Sequence, residues 1–314
     1  MKNFLLAVLL LAAGSAAAQY PNKPVRVLVT FGAGSSTDLV MRILAQPLGQ
    51  ALGQPVVVEN KPGADGAIAA AELARSSPDG HTIMLATNSP MSAAPHLRKL
   101  PYDALADFTP ISMVGNYTFF VLVHPGVPAR TLQELIAHAR ANPGKLNYAT
   151  GNTSGIVMTA MLASQAGMQL VHIPYKSEPP AITDLLSGVV QVMISSYATV
   201  APHLREGKLR ALVTTLPNRS PLVPDVPSIV EAGFPKFSVS PWAGMFGPAR
   251  MPKDVAERIN RELNALIGRG DVRESLAKQA FDPKGSTPEE FAVYVKEQYE
   301  IWGRAIRDAG IKPE

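Results

Sequence analysis

The chain has 314 residues, 46% of them hydrophobic and 17% charged, with a formal net charge of +4. Its basic residues are scattered along the sequence and form no stripe, which argues against nucleic acid as a partner. Because the chain contains no cysteine, disulfides, thiol chemistry and cysteine metal sites are excluded.

The first residues have the organisation of a secretory signal peptide. Lys2 supplies a positive charge, residues 4–13 form an almost unbroken apolar run, and residues 16–18 are alanines suited to cleavage. The run is too short to anchor the chain as a membrane helix, which needs about 20 apolar residues. We therefore expect residues 1–18 to be removed and the mature chain to begin at Gln19. Since no cysteine is available to accept a lipid, we expect a soluble periplasmic protein.

Apolar, β-branched runs alternate with helix-like stretches along most of the chain. This alternation is typical of a parallel sheet with helical crossovers. Strands are predicted at residues 25–30, 56–59, 82–86, 111–114, 119–124, 146–149, 170–173, 190–194 and 209–214, and the first two helices at 38–52 and 67–75.

From residue 253 onward the chain is predicted to be helical. Apolar residues recur on one face of the first stretch. For a second helix, Thr287 supplies an N-cap, Pro288 a first-turn proline and Glu290 a capping-box glutamate. The residues of the apolar face are Val255, Ile259, Leu263 and Leu266.

The length of the chain exceeds what one hydrophobic core usually organises, so we predict two lobes. The sequence has no low-complexity linker, and the chain must therefore cross between the lobes through ordered segments. We expect these crossings near residues 111–124 and 224–242. We assign residues 19–120 and 238–314 to the first lobe and residues 121–237 to the second.

A loop of small and hydroxyl residues follows the first strand and opens the first helix. Its backbone N–H groups point outward with the positive end of the helix dipole behind them, which makes an anion site. Helix capping alone is the alternative interpretation. The nearest basic residue, Arg42, is expected to point away from the N-terminus of the helix. The candidate ligand residues of this loop are Phe31, Gly34, Ser35, Ser36, Thr37 and Asp38.

A second loop, at residues 148–155, has the same strand-to-helix setting. Neither loop contains Lys or Arg, so a carboxylate lying between them would be held by N–H groups and hydroxyls and not by a salt bridge. Capping is again the alternative. The candidate ligand residues here are Thr150, Gly151, Asn152, Thr153 and Ser154.

Enzymatic and metal chemistry fit the sequence less well. Gly32 and Gly34 imitate a dinucleotide-binding fingerprint, but Thr37 replaces its third glycine and Asp38 would repel a pyrophosphate. The sequence has no G-x-S-x-G nucleophile elbow, and its six histidines form no pair at metal-ligand spacing. We therefore expect no catalytic residue, no metal and no cofactor.

Further short motifs are spread over the chain, at residues 29–38, 60–66, 102–108, 148–155, 172–176, 184–188, 207–212, 226–233 and 241–244. Together they resemble the Bug or TctC-type receptors of tripartite tricarboxylate transporters, over residues 20–311. The resemblance implies an α/β, two-lobe type II periplasmic-binding-protein fold with a ligand cleft between the lobes. It also implies that the two loops bind a ligand carboxylate through amides, hydroxyls and waters, and that lobe closure completes the pocket.

Several residues have two interpretations. Lys176 is a candidate counter-ion, although a lysine in such a loop is more often solvated. Asp38 either accepts a hydrogen bond from the ligand or complements the helix dipole. Asp184 is expected at a helix terminus or in lobe packing, and Trp242 either flanks the hinge or belongs to the core. We also assign to the ligand site Asn88, Ser89, Lys176 and Ser196.

The expected ligand is a small carboxylate, and the expected partners are the membrane subunits of a tripartite transporter, with the receptor itself a monomer. The alternative is a receptor that reports carboxylate availability to a membrane regulator. Residues 33–35 and Met158 depart from the family pattern, which leaves the ligand open. The run at 176–180 resembles a subgroup with aromatic carboxylates, while amino-acid, citrate-like and C4-dicarboxylate ligands stay open.

Overall fold

The structure is a computed structural model that describes residues 20–237 and 239–313. The predicted signal peptide, residues 1–18, lies outside the described residues. Within them the strands form two separate sheets, and helices pack against both.

The first sheet contains β1 (Val25–Val29), β2 (Val56–Asn60), β3 (Thr82–Thr87), β4 (Phe108–Tyr117), β10 (Trp242–Pro248) and β11 (Phe281–Pro283). The strand order is β11-β4-β10-β3-β1-β2. The β1 strand pairs in parallel with β2 and β3, whereas β10 is antiparallel to both β3 and β4.

The second sheet contains β5 (Phe119–Val123), β6 (Leu146–Thr150), β7 (Leu170–Pro174), β8 (Val192–Ser196) and β9 (Arg210–Thr214). The strand order is β7-β6-β8-β5-β9. The β6 strand pairs in parallel with β7 and β8, whereas β5 is antiparallel to β8 and β9.

The longer helices of the described residues are α1 (Ser36–Leu52), α2 (Ala67–Ala74), α3 (Leu132–Ala141), α4 (Thr153–Ala166), α5 (Glu178–Leu186), α6 (Tyr197–Arg205), α7 (Lys253–Gly268), α8 (Gly270–Ala277) and α9 (Pro288–Asp308). Helices α1, α4, α5 and α6 each begin shortly after a strand ends. Short helical turns occupy Ala64–Gly66, Ser89–Ala93 and Ala94–His96.

The local signals for the C-terminal helices are confirmed. The apolar face predicted for α7 is buried. At the start of α9, the Thr287 hydroxyl accepts from the Glu290 N–H at 3.1 Å, and the Glu290 carboxylate accepts from the Thr287 N–H at 2.9 Å. This capping box satisfies two N–H groups that have no partner inside the helix.

The chain passes from the first sheet to the second at Thr118, between β4 and β5, and returns between β9 and β10. The first passage falls in the expected segment 111–124, and the second, between residues 214 and 242, overlaps the expected segment 224–242. Trp242 opens β10 directly after the return, where its buried ring packs edge-on against Phe291. The residues at which each lobe ends stay a prediction.

The prediction of parallel pairing is wrong in part: β1 pairs in parallel with β2 and β3, and β6 with β7 and β8, but both sheets also contain antiparallel strands. The β10 strand arrives from the other lobe and enters the first sheet in the opposite direction. Its sequence, with two glycines and a terminal proline, lacks the β-branched signal of a strand. The all-helical C-terminal prediction is also wrong, since β11 pairs with β4; three residues are too few to show an alternating pattern.

Candidate functional site

One small cavity lies between the two lobes, where the loops after β1 and β6 meet. Its volume is about 10 Å³, which leaves room for about one water molecule in this closed arrangement. It is lined by Phe31, Ser35, Ser36, Thr37, Thr87, Asn88, Ser89, Tyr117, Phe119, Asn152, Ser154, Glu178 and Pro241.

The first loop is folded by its own hydrogen bonds. Ser35 is the N-cap of α1 and accepts from the Asp38 N–H at 3.3 Å. Gly34 has φ of 77°, a left-handed conformation that glycine adopts without strain. Its N–H donates to the Asp38 carboxylate at 2.9 Å, so this amide is engaged within the loop. A substitution at Gly34 would therefore strain the backbone as well as change the charge.

The Asp38 carboxylate organises this loop. It is 2% exposed and accepts from Arg42 Nε at 2.9 Å and from Asn60 Nδ2 at 3.0 Å, besides the Gly34 N–H. Burial would raise the pKa of Asp38, but the hydrogen bonds from Arg42, Gly34 and Asn60 together hold that pKa below its usual value. Its oxygens are thus occupied inside the chain, and Asp38 does not line the cavity.

The expectation that Arg42 points away from the helix N-terminus is wrong. The side chain of a helical residue leans toward the N-terminus, so a residue four positions on reaches back over the first turn. Arg42 does this and forms an ion pair with Asp38, while its own side chain stays 53% exposed. The charges of Asp38 and Arg42 balance each other, so together they add no net charge to the first loop.

The second loop is built in a similar way. The Asn152 side chain caps α4 by accepting from the Gly155 N–H at 2.9 Å. Thr150 Oγ1 lies 2.6 Å from Nε2 of His172 on the neighbouring strand. The buried Thr153 hydroxyl has no hydrogen-bond partner within the described residues. A Cβ atom on Gly151 would lie 2.4 Å from the Glu178 backbone nitrogen, so the loop packs tightly against the start of α5.

Hydrogen bonds also join the two lobes across the cavity. Asn88 Nδ2, at the end of β3, donates to Ser154 Oγ of α4 at 2.7 Å. The hydroxyls of Ser89 and Ser154 lie 3.1 Å apart. Asn88 Oδ1 accepts from the Trp242 N–H at 3.3 Å. Asn88, Ser89 and Ser154, all predicted as ligand residues, thus satisfy one another between the lobes, while the bond from Trp242 lies within one lobe.

Glu178 is a lining residue that the sequence analysis does not single out. It is 3% exposed, and its carboxylate accepts from Asn152 Nδ2 at 3.3 Å, Ser196 Oγ at 3.0 Å and Thr199 Oγ1 at 3.2 Å. Burial raises the pKa of Glu178, and hydrogen bonds from the surrounding hydroxyls only partly offset the rise. The sequence feature that could have identified Glu178 as a site residue is its position in the first turn of α5. Acidic residues at that position, however, commonly only complement the helix dipole.

The remaining candidates are placed as follows. Lys176 is exposed and does not line the cavity. The Ser196 hydroxyl is directed to Glu178. Asp184 accepts from the Tyr175 hydroxyl, near the end of α5. Cavity-lining residues that the sequence analysis missed are Thr87, Tyr117, Phe119, Glu178 and Pro241.

The raised pKa of Glu178 predicts a pH-dependent stability. A carboxyl group with a higher pKa in the folded state favours folding most at low pH, and this advantage is lost as pH rises through the folded pKa. The Glu178→Gln variant cannot ionise at this position. We therefore expect its stability relative to the unchanged protein to be greater at pH 7 than at pH 4, measured by urea unfolding. If the variant and the unchanged protein differ in unfolding free energy by the same amount at both pH values, the pKa of Glu178 is not raised by folding.

Across the part of the chain that the structure describes, no group of three or more His, Asp or Glu residues is arranged to hold a metal ion. No described helix is both long and apolar enough to cross a membrane.

The sequence matches the family model for the tripartite tricarboxylate transporter family receptor over residues 30–311. It is also similar to Protein BugT of Bordetella pertussis. The two are 34% identical over 306 residues, which cover 96% of this chain and 94% of BugT.

Solved structures resemble this chain over 91% to 94% of its length. The periplasmic binding protein BugD is 32% identical with a TM-score of 0.89, and the match covers 94% of this chain and 100% of BugD. An R. palustris protein with adipate is 27% identical, with a TM-score of 0.91 and coverage of 94% and 100%. MatC of Rhodopseudomonas palustris with bound malate is 30% identical, with a TM-score of 0.87 and coverage of 91% and 100%. These likenesses confirm the predicted α/β, two-lobe fold.

Proposed function

Because this chain belongs to the tripartite tricarboxylate transporter receptor family, we propose that it captures a small carboxylate between its lobes and delivers it to the membrane subunits of such a transporter. As a member of that family it is a periplasmic solute-binding receptor and not an enzyme. The solved relatives with adipate and malate support a carboxylate ligand here.

The observation that carries the proposal is the meeting of two helix N-termini, one from each lobe, at one cavity. Ser36 and Thr37 open α1, and Ser154 lies in the first turn of α4; all three line the cavity. The N–H groups of a first helical turn have no acceptor inside the helix, and the helix dipole places positive potential there. An anion between the lobes would therefore be attracted by both.

The proposed site needs no basic side chain. A hydrogen bond to a charged group contributes roughly 1.5 to 3 kcal/mol, so several donors converging on one carboxylate support binding near the micromolar level of about 8 kcal/mol. The donors proposed are the amides of the first turns and the side chains of Ser36, Asn88, Ser89 and Ser154. In the closed arrangement Asn88 and Ser89 bond to Ser154, and a ligand carboxylate would take the place of those bonds.

Entry of a ligand requires the lobes to separate, because the closed cavity is so small. In the proposed motion, the lobes formed by residues 19–120 with 238–314 and by residues 121–237 move about the two crossing segments, Thr118 and residues 215–241. We propose that the receptor acts as a monomer.

Replacement of Lys176 is expected to have a small effect. Its side chain is exposed, and an exposed charge pair contributes no more than ~1 kcal/mol. Lys176→Ala should therefore weaken carboxylate binding by less than about tenfold in calorimetric titration. Complete loss of binding would show that the site depends on a salt bridge and not on helix N-termini.

Native mass spectrometry of freshly purified periplasmic protein tests the proposal. We expect a retained ligand whose released mass and fragmentation identify a carboxylic acid. Protein unfolded, dialysed and refolded is the control and should lack that mass until the acid is added back. A retained molecule without a carboxyl group, or no binding across a panel of carboxylates, would overturn the proposal.

A further inference from the structure

Glu178 is a buried acid at a site that the two helix N-termini prepare for an anion. Among the residues that line the cavity, it is the one with a carboxyl group, and none of the others is Lys, Arg or His. Its side-chain hydrogen-bond donors include Asn152, Ser196 and Thr199, and all of these are neutral. The largest influences on its pKa are burial and hydrogen bonds from Ser195, Ser196 and Thr199, and none of these partners is a cation.

This arrangement conflicts with a ligand that carries negative charge alone. A buried charge is costly unless a charge of opposite sign accompanies it, and two carboxylates in a water-poor site repel each other. Asp38, the other buried acid nearby, already has the guanidinium of Arg42. The hydrogen-bond donors of Glu178 supply no counter-charge, whereas a cationic group on the ligand would supply one.

The anion site at the start of α4 and the Glu178 carboxylate, which favours a cation, lie close together. The Asn152 side chain caps α4 through its oxygen and donates to Glu178 through its nitrogen, so it borders the anion site and the acid at once. A small molecule seated beside Asn152 would present one end to the first turn of α4 and the other to Glu178. Ser154, in that same turn, also lines the cavity and accepts from Asn88 Nδ2 at 2.7 Å.

We propose that Glu178 receives the ammonium group of the ligand, and that this receptor selects amino-carboxylates over carboxylates without an amine. The inference rests on the proposed function, because it assigns the second half of the same pocket. The ligand carboxylate binds the helix N-termini, and its ammonium donates to the Glu178 carboxylate. The ligand is thereby a zwitterion at the site, and the buried acid gains its counter-charge.

Calorimetry with matched ligand pairs tests this selection. The pairs are L-aspartate with succinate, L-glutamate with glutarate, and L-phenylalanine with 3-phenylpropionate, whose members differ by the ammonium group. For at least one pair we expect the amino member to bind tighter by about tenfold or more. Glu178→Gln should remove that preference. We expect the variant to bind the ligand with the ammonium group more weakly, and the ligand without it as tightly as before or more tightly.

The matched control is Glu206→Gln, which removes an exposed acid paired with Lys208 and should keep the preference. The inference is overturned if the unchanged protein binds the non-amino members as tightly as the amino members, or if Glu178→Gln keeps the preference. In those cases carboxylates still bind and the proposed function stands. If no member of any pair binds and no other carboxylate does, both the proposed function and this inference fail.

Discussion

Gly151→Ala is expected to weaken carboxylate binding by on the order of 100-fold or more. The added Cβ would lie 2.4 Å from the backbone nitrogen of Glu178 and 2.5 Å from the carbonyl carbon of Ser177. These are backbone atoms, so no side-chain rotation relieves the overlap. The second loop and the start of α5 must move apart, which displaces both Asn152 and Glu178 from the cavity. Overpacking of this kind also costs about 1–3 kcal/mol of folding stability.

Gly155→Ala is the matched control, four residues along the same segment. Its Cβ would meet its nearest neighbours at 3.4 to 3.5 Å, an ordinary contact distance. Within a helix, alanine is favoured over glycine by roughly 0.5–1 kcal/mol. We therefore expect this variant to bind normally and to be at least as stable, by calorimetry and thermal unfolding. If Gly151→Ala binds as well as Gly155→Ala, the second loop does not form the site.

Ser36→Asp is expected to eliminate carboxylate binding while the protein stays folded. Ser36 is the first residue of α1, is 6% exposed and lines the cavity. An acidic residue at this helix position complements the dipole, so the fold tolerates it. A second negative charge about 4 Å from the ligand costs ~4 kcal/mol at an effective dielectric constant of 20, equivalent to about a thousandfold in affinity.

Ser36→Asn separates charge from size, because asparagine has the same shape as aspartate and no charge. Its binding should stay within about tenfold of the unchanged protein in the same calorimetric titration. Equal losses for the two variants would mean that bulk, and not negative charge, disturbs the site. If Ser36→Asp binds the carboxylate as tightly as the unchanged protein, α1 does not form part of the carboxylate site.

Features encoded in neighbouring residues could be predicted from the sequence. The capping box at Thr287, the apolar face of α7 and the two strand-to-helix loops are each specified within a few residues, and the structure contains all of them. The crossings between lobes could also be placed approximately, since Thr118 lies within the expected segment 111–124 and the return overlaps the expected segment 224–242.

Features that depend on distant residues could not be predicted. The β10 strand owes its antiparallel place to partners on β3 and β4, more than 100 residues earlier in the chain. Glu178 lines the cavity because the start of α5 packs against Gly151, and its carboxylate accepts hydrogen bonds from Ser196 of β8 and Thr199 of α6. The position of Arg42 depends on local helix geometry and not on distant residues, because helical side chains lean toward the N-terminus and Arg42 thereby reaches Asp38.

Ligand-driven closure of the two lobes is the central claim, and a distance measurement across the cleft tests it most directly. The chain has no cysteine, so Ile68→Cys and Val171→Cys can be spin-labelled without interference. Both side chains are exposed, at 52% and 40%, and they belong to different lobes. Asp65, close to Ile68 in sequence, acts electrostatically on His172, so the two segments face each other. With the carboxylate that binds best by calorimetry, electron–electron double resonance should change a broad, longer distance distribution into a single shorter one; identical distributions with and without it would contradict closure around the ligand.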